Sequence, residues 1–359
     1  MVKSIIIGAG FSSAILKLLL KNKAKVIGCL DSKIFINNKN YIRRKNLEFN
    51  KFFIKKAFSF GTLCFDINAI LLHDRLNYGG NTSVWGGHFN LRDISKKSLN
   101  LLKFYKFNLC KLSFFETGTV SNDEKIVQLH DNAKKIITAN TFLKNSVAAG
   151  YVERFFLNKK KLFIDYIEFR NNSYNKKTIQ VKKIFLGVGC IQLIDLLYRS
   201  GYLKNGDIIE IAEFYHKFKF NFLNSQFENK TITIRYIFAR ALGHYLGIQH
   251  FSKYLKFFKF IPLVIDQIFY KKKINLKLCV VNNSIINMYS KNKSKIQFGR
   301  SIHYCNMKIN GININKFLSK INNNIIGAGM PFINQKKPGP ISNEIFEDIV
   351  NKIDKIKFI

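Results

Sequence analysis

The chain has 359 residues, 47% of them hydrophobic and 23% charged, with four prolines and 21 glycines that follow no period. This length and apolar fraction support a large core and two domains, and they exclude a disordered chain or a collagen-like rod. No uninterrupted apolar run reaches the ~18 residues of a spanning helix. The formal charge is +37, from 59 Lys and Arg against 22 Asp and Glu. Such a balance first points to nucleic acid or an anionic membrane. Lys far outnumbers Arg, however, and Asn, Ile and Phe are abundant while Trp occurs once. These favoured residues share A/T-rich codons, and the basic residues are spread along the chain. Coding bias is therefore the preferred account, and no nucleic-acid partner is expected. The cysteines, Cys29, Cys64, Cys110, Cys190, Cys279 and Cys305, include no C-x-x-C pair. That scatter predicts reduced thiols and a cytoplasmic setting, not a disulfide framework or a zinc knuckle.

In chain order, Ser4–Ile7 is a short β-branched run followed at once by Gly8-Ala9-Gly10. The early lysine and apolar run resemble a signal peptide, but no small-residue cleavage site closes them. Ser12 and Ser13 then lead into an apolar-periodic stretch to Leu20, and a second apolar run, Lys25–Leu30, ends at Asp31. The pattern of strand, glycine turn, helix, strand and acid matches most of the dinucleotide fingerprint G-x-G-x-x-G. Gly8 makes the tight turn. Gly10 lets the backbone approach a pyrophosphate at a helix N-terminus, where free N–H groups and the dipole favour anions. Asp31 is placed to bind a ribose. Ser13 stands where the third glycine is usual. A unit of this kind at the start of the chain favours FAD over NAD.

Residues 76–91 hold Gly79, Gly80, Asn81, Thr82, Ser83, Val84, Trp85, Gly86, Gly87 and His88. This composition suits neither a regular helix nor a regular strand. A surface loop would expose the sole Trp, so a ligand loop is the preferred reading. Leu162–Phe169 and Thr178–Val181 read as a hairpin around Asn171–Asn175. Val181–Gly201 reads as a second strand, a turn Gly187-Val188-Gly189, and an amphipathic helix.

These pieces resemble the glucose–methanol–choline family of flavin oxidoreductases. Gly79–Gly87 is similar to that family's glycine-rich flavin loop, and Val181–Gly201 to its strand and helix re-entering the flavin domain. Ser301–Tyr304 is similar to its catalytic-histidine strand, Asn324–Pro331 to the strand and turn closing over the flavin, and Pro338–Ile341 to the start of its last helix. The resemblance implies an α/β fold. A Rossmann-like FAD-binding domain (1–200 plus 300–359) would carry an inserted α+β substrate domain (201–300), with strands at Thr231–Phe238, Leu276–Val281 and Lys295–Phe298. It implies FAD-dependent oxidation of a CH–OH group in a small hydroxyl compound, such as a sugar or sugar nucleotide. FAD would be held by Gly8, Gly10, Ser12, Ser13, Asp31, Gly79, Gly80, Asn81, Thr82, Ser83, Trp85, Gly86, Gly187, Gly189 and Gly329. Val84 occupies the position where some relatives attach flavin through histidine, so the cofactor would be non-covalent.

The chain is short for that family. Gly327 replaces an acid in the C-terminal strand turn. The second catalytic position has no clean counterpart, with Asn334 and Asn343 nearby and neither in register. A neutral imidazole suits proton removal from a hydroxyl near pH 7. Of the seven histidines, the resemblance makes His303 the leading base, with His88, which follows the glycine loop, the second and Asn334 a third candidate catalytic residue. His244 and His250 are spaced too far apart for one helical face, so no metal is expected. Residues 251–273 interleave aromatics with lysines, which suits either a core helix with a solvated face or contact with an anionic membrane surface. The rival functions are a sugar mutase using reduced FAD, and a catalytically degenerate member that binds anionic surfaces.

Overall fold

The computed structural model describes residues 2–28, 48–49, 88–90, 94–104, 108–111, 119–120, 126–130, 139–143, 147–170, 173–214, 219–221, 224–227, 230–233, 274–281, 284–287, 303–333 and 341–357. The main sheet contains β1 (Val2–Ile7), β2 (Lys25–Gly28), β3 (Val147–Asn158), β4 (Lys161–Arg170), β5 (Ser173–Leu186) and β11 (Ile325–Gly327). Parallel pairings join β3 to β2, β2 to β1, β1 to β5 and β5 to β11. In sequence order these are strands three, two, one, four and five of a doubly wound, Rossmann-like sheet.

Alternation along β1 explains the layering. Ile5 and Ile7 join one buried cluster and Ile6 the other. The helices α1 (Phe11–Leu20), α2 (Lys96–Phe104), α3 (Ala139–Leu143) and α6 (Ile341–Lys357) pack on the Ile6 face. The helices α4 (Cys190–Arg199) and α5 (Ile314–Ile321) pack on the Ile5 face. Both faces of the parallel strands are covered, so the second half of β1, Ile5–Ile7, is apolar without alternation. The expected opening strand, helix and second strand are all present, and α1 begins three residues earlier than its apolar periodicity indicates.

Beyond the parallel region β3, β4 and β5 continue as an antiparallel meander. The hairpin expected around Asn171–Asn175 is the β4–β5 connection, with Arg170 opposite Ser173. One rung of the meander aligns Arg154, Asp165 and Thr178. Burial alone would raise the Asp165 carboxyl. Hydrogen bonds from Thr178 Oγ1 and Arg154 Nε, each at 2.6 Å, outweigh that and hold it below the ordinary carboxylate range.

A second sheet contains β6 (Ile208–Phe214), β7 (Ile274–Val281), β8 (Ser284–Asn287), β9 (His303–Ile309) and β10 (Ile312–Asn313), in the order β10-β9-β6-β7-β8. It draws on residues from both sides of position 300: β9 pairs with β6, which lies within the segment 201–300 expected as an insert. The strand expected at Thr231–Phe238 is seen as Lys230–Thr233, and Lys295–Phe298 lies outside the described residues. A bulge interrupts the β6–β9 ladder between Glu210 and Ala212, and Asn306 there has φ +50°. The change of face is visible in burial. Cys305 joins the α1/α6 cluster and Met307 the opposite one. Among the described residues no helix is long and apolar enough to cross a membrane.

Candidate nucleotide-binding site

The site is built where the strand order reverses, between β1 and β5, at the carboxyl ends of the strands. The sheet ladder extends one residue past each strand as a staircase. The amide of Gly8 donates to Ile27 O at 2.9 Å, that of Gly187 to Ile7 O at 2.9 Å, and that of Ala328 to Leu186 O at 3.0 Å. The turns Gly8–Gly10, Gly187–Gly189 and Gly327–Gly329 therefore stand side by side.

Contact requires glycine at Gly8, Gly187, Gly327 and Gly329. Gly8 has φ +108°, and a Cβ there would lie 2.7 Å from the Gly187 carbonyl oxygen. Gly329 has φ +104°, and its missing Cβ would collide with Ser12 Oγ. The first turn is thus fitted against both others. Ser13 is fully buried, and its Oγ donates to Gly187 O at 3.2 Å. Its side chain occupies the space that a Cβ on Gly187 would take. This explains how serine is accepted at the third-glycine position: the glycine has moved to the neighbouring turn.

That reciprocity gives a prediction. Gly187→Ala should destabilise the fold by about 2–3 kcal/mol through overpacking. Ser13→Gly should recover part of this and not all, because the new Cβ would still lie 3.0 Å from Ser13 N. A double-mutant cycle by urea denaturation checks it, and additive losses would refute it.

Past these ladder bonds, the last amide of each turn has no acceptor among the described residues. α1 starts on Gly10 and α4 on Gly189, both without a side-chain cap, and neither helix has an acid in its first turn. The first intrahelical bond of α1 is Ala14 N to Gly10 O at 3.0 Å, which leaves the preceding turn's amides for an external partner. Among the described residues the amides of Gly10, Gly189 and Gly329 have no hydrogen-bond partner. Gly329 is buried, and a buried amide is normally satisfied by protein, water or ligand. A Cβ on Gly10 would meet nothing within 4 Å, so the backbone there is open to close approach. At the far end of α1, Lys17 Nζ donates to the Lys21 and Ala24 carbonyls at 2.8 and 2.9 Å. The helix is thus charge-complemented at its C-terminus and left positive at its N-terminus.

The third turn is held from several sides. Lys352 Nζ donates to Gly327 O at 3.0 Å and pairs with Asp348 Oδ2 at 2.7 Å. Burial pushes the Asp348 carboxyl above its ordinary value in spite of that lysine. Asn315 Nδ2 donates to Phe332 O at 2.9 Å, and the Asn306 amide at the β9 bulge donates to Ile333 O at 2.8 Å. The Phe332 ring fills the place where a side chain on Gly327 would sit, so an acid there could not be accommodated. The Asn306 and Lys352 anchors carry no local sequence signal, because their partners are more than twenty residues away.

Of the expected cofactor-binding residues, Gly8, Gly10, Ser12, Ser13, Gly187, Gly189 and Gly329 come together here. Asp31, Gly79, Gly80, Asn81, Thr82, Ser83, Trp85 and Gly86 lie outside the described residues, as do Asn334 and residues 251–273. His88 opens the short strand His88–Asn90, opposite Gln128. The next residue, Phe89, is fully buried, edge-on to Phe11 at 6.1 Å and to Phe346 at 6.5 Å. Phe89 thus lies beside Phe11, the first residue of α1. His303 opens β9, opposite Phe214. Cys305, on the same strand, shares a buried cluster with Ala9, Phe11 and Ala328. Among the described residues no group of His, Cys, Asp and Glu could hold a metal.

No protein-family model matches the chain, and no curated protein matches it. Among solved structures it is similar to CabE, an aromatic hydroxylase from angucycline biosynthesis, at 8% identity and TM-score 0.33 over 98% of this chain and 60% of that one. The substrate-free rebeccamycin biosynthetic enzyme RebC gives 8% identity and TM-score 0.37 over 97% and 61%. A flavoprotein/dehydrogenase from Cytophaga hutchinsonii gives 9% and 0.32 over 99% and 79%. The chain spans about three-fifths of the length of CabE and RebC. The fold assignment rests on this chain's own strand order and register.

Proposed function

We propose that the chain is an FAD-dependent oxidoreductase that binds FAD non-covalently and oxidises a CH–OH group of a small hydroxyl compound, of the sugar or sugar-nucleotide kind. The observation that carries this reading is the convergence of three glycine turns at the switch point, with the Gly10, Gly189 and Gly329 amides lacking partners among the described residues. The residues present fit a dinucleotide. Gly8 and Gly10 give the backbone its close approach, and the α1 N-terminus binds a diphosphate through amides and dipole. Gly187–Gly189 and Gly329 flank the same crevice. FAD supplies the hydride-accepting ring when bound, and the protein supplies orientation and proton handling.

In this reading His303 takes the hydroxyl proton as the carbon loses hydride, which leaves a neutral carbonyl product. The resemblance of residues 301–304 to a catalytic-histidine strand supports the role, as does the run of β9 alongside the 330–333 segment that follows the third turn. Among the described residues Cys190, Cys279 and Cys305 form no disulfide, and a cytoplasmic setting is part of this reading.

The test is an absorption spectrum of the purified protein, before and after incubation with FAD. Flavin bands should appear, and acid precipitation should release all the flavin to the supernatant. Gly329→Val should lower FAD affinity at least ~10-fold, because a branched side chain at positive φ forces the third turn away from Ser12. Protein that takes up no flavin would refute the assignment. Substrate class is then tested by anaerobic bleaching of the bound flavin with a panel of primary alcohols, secondary alcohols and sugars.

A further inference from the structure

We infer that the tip of the β3–β4 hairpin is a contact element for an anionic phospholipid surface. The turn residues are Lys159 and Lys160, with φ +46° and +64°, between the paired residues Asn158 and Lys161. Two consecutive positive φ values define the two-residue turn that Asn-Gly forms at least cost. Lysine has no local hydrogen bond with which to offset the left-handed conformation. Coding bias does not explain the choice. Asparagine is as favoured as lysine by A/T-rich codons and is abundant in this chain, yet it sits one position short of the turn. A strained turn kept in lysine points to use of the charge.

The surroundings name the partner's chemistry. Lys159, Lys160 and Lys161 are all exposed, and none has an ion pair among the described residues. Lower in the same meander, Lys176 pairs with Glu153, and Lys177 with Glu168. Acids are thus supplied to the body of the meander and withheld from its tip. Beside the three lysines stands Leu157, 38% exposed, the one exposed large hydrophobic residue among those described. On the opposite face Phe156 and Phe163 stack at 5.6 Å and remain partly exposed. A narrow tip with unpaired cations at its end and apolar groups just behind suits a bilayer interface. There lysines meet anionic headgroups and Leu157 enters the acyl boundary. A nucleic acid would use the charge and leave Leu157 without purpose.

The experiment compares binding to vesicles of phosphatidylcholine with phosphatidylserine and to phosphatidylcholine alone. The triple variant Lys159→Ser/Lys160→Ser/Lys161→Ser should lose about 10²-fold in affinity for the anionic vesicles, at about fivefold per lysine. A control triple of exposed lysines elsewhere, Lys204→Ser/Lys316→Ser/Lys320→Ser, removes the same charge and should lose about fivefold or less. Equal losses would show a general effect of net charge and overturn the proposal. Leu157→Trp should shift its emission to shorter wavelength with anionic vesicles, and an unshifted spectrum would also overturn it. Lys159→Asn/Lys160→Gly should raise Tm by roughly 2–4 °C while weakening vesicle binding by more than 10-fold. Undiminished binding by that variant would show that the turn is only a turn. If the tip triple instead weakens binding to duplex DNA and leaves vesicle binding intact, the partner is nucleic acid and the bilayer assignment falls.

Discussion

Arg199→Ala is expected to cost about 3–5 kcal/mol of folding stability, enough to bring a protein of ordinary stability close to unfolding. The Arg199 side chain is only 6% exposed, at the C-terminal end of α4. Its Nε donates to Asp195 Oδ2 at 3.0 Å, and its Nη1 donates to the Val152 carbonyl at 2.6 Å and to the Glu153 carbonyl. Those carbonyls lie where the β3–β4 register shifts, between Val152 and Arg154. The guanidinium thus fastens α4 to an irregular point of the sheet while its charge complements the helix C-terminus. Alanine removes all of this and leaves the mostly buried Asp195 carboxylate without its guanidinium. Arg199→Lys should recover only part of the loss, because an ammonium lacks the planar fork that reaches the carboxylate and both carbonyls together. Urea denaturation followed by circular dichroism measures both variants. A cost below about 1 kcal/mol for the alanine variant would mean that the contacts are replaced by solvent. The site should feel the change too, since α4 begins at Gly189 and its axial position sets the second turn.

What the sequence made legible, and what it did not, follows the range of the interactions. The β1–α1–β2 unit and the β5–α4 unit were readable because each is local, with strand period, glycine and helix period falling within about thirty residues. The start of the last helix was legible only through the resemblance of Pro338–Ile341 to a known family's pattern. Pairing of β9 with β6 was not, because nothing in residues 303–309 encodes a partner ninety residues earlier. The Asn306 bulge was invisible for that reason also, although asparagine tolerates its φ. The exchange between Ser13 and Gly187 looked like a defect in one motif until the second motif lay against it. The β3–β4 hairpin left no turn signal at all, since Lys159-Lys160 is the opposite of what a two-residue turn normally uses.

His303→Ala is expected to slow reduction of the bound flavin by substrate about 10²–10⁴-fold while leaving the flavin bound, the range of general-base assistance. Loss of hydride from the carbon leaves a protonated carbonyl unless the hydroxyl proton departs with it, so removing the base should raise the barrier to hydride loss itself. Binding should survive, because His303 opens β9 in the second sheet, opposite Phe214, whereas the proposed cofactor cradle is built from the turns of the main sheet. The pH profile separates a base from a merely structural residue. A base that must be neutral to accept the proton should give the unmodified protein an acid limb in its rate. The alanine variant should lack that limb. His303→Gln keeps hydrogen-bonding capacity without basicity and should be as slow as alanine. His88→Ala should lose much less. Rapid-mixing reduction across pH measures all of these. If His303→Ala reduces its flavin at the unmodified rate with the acid limb intact, the base is elsewhere, and the same profile on His88→Ala becomes the next measurement.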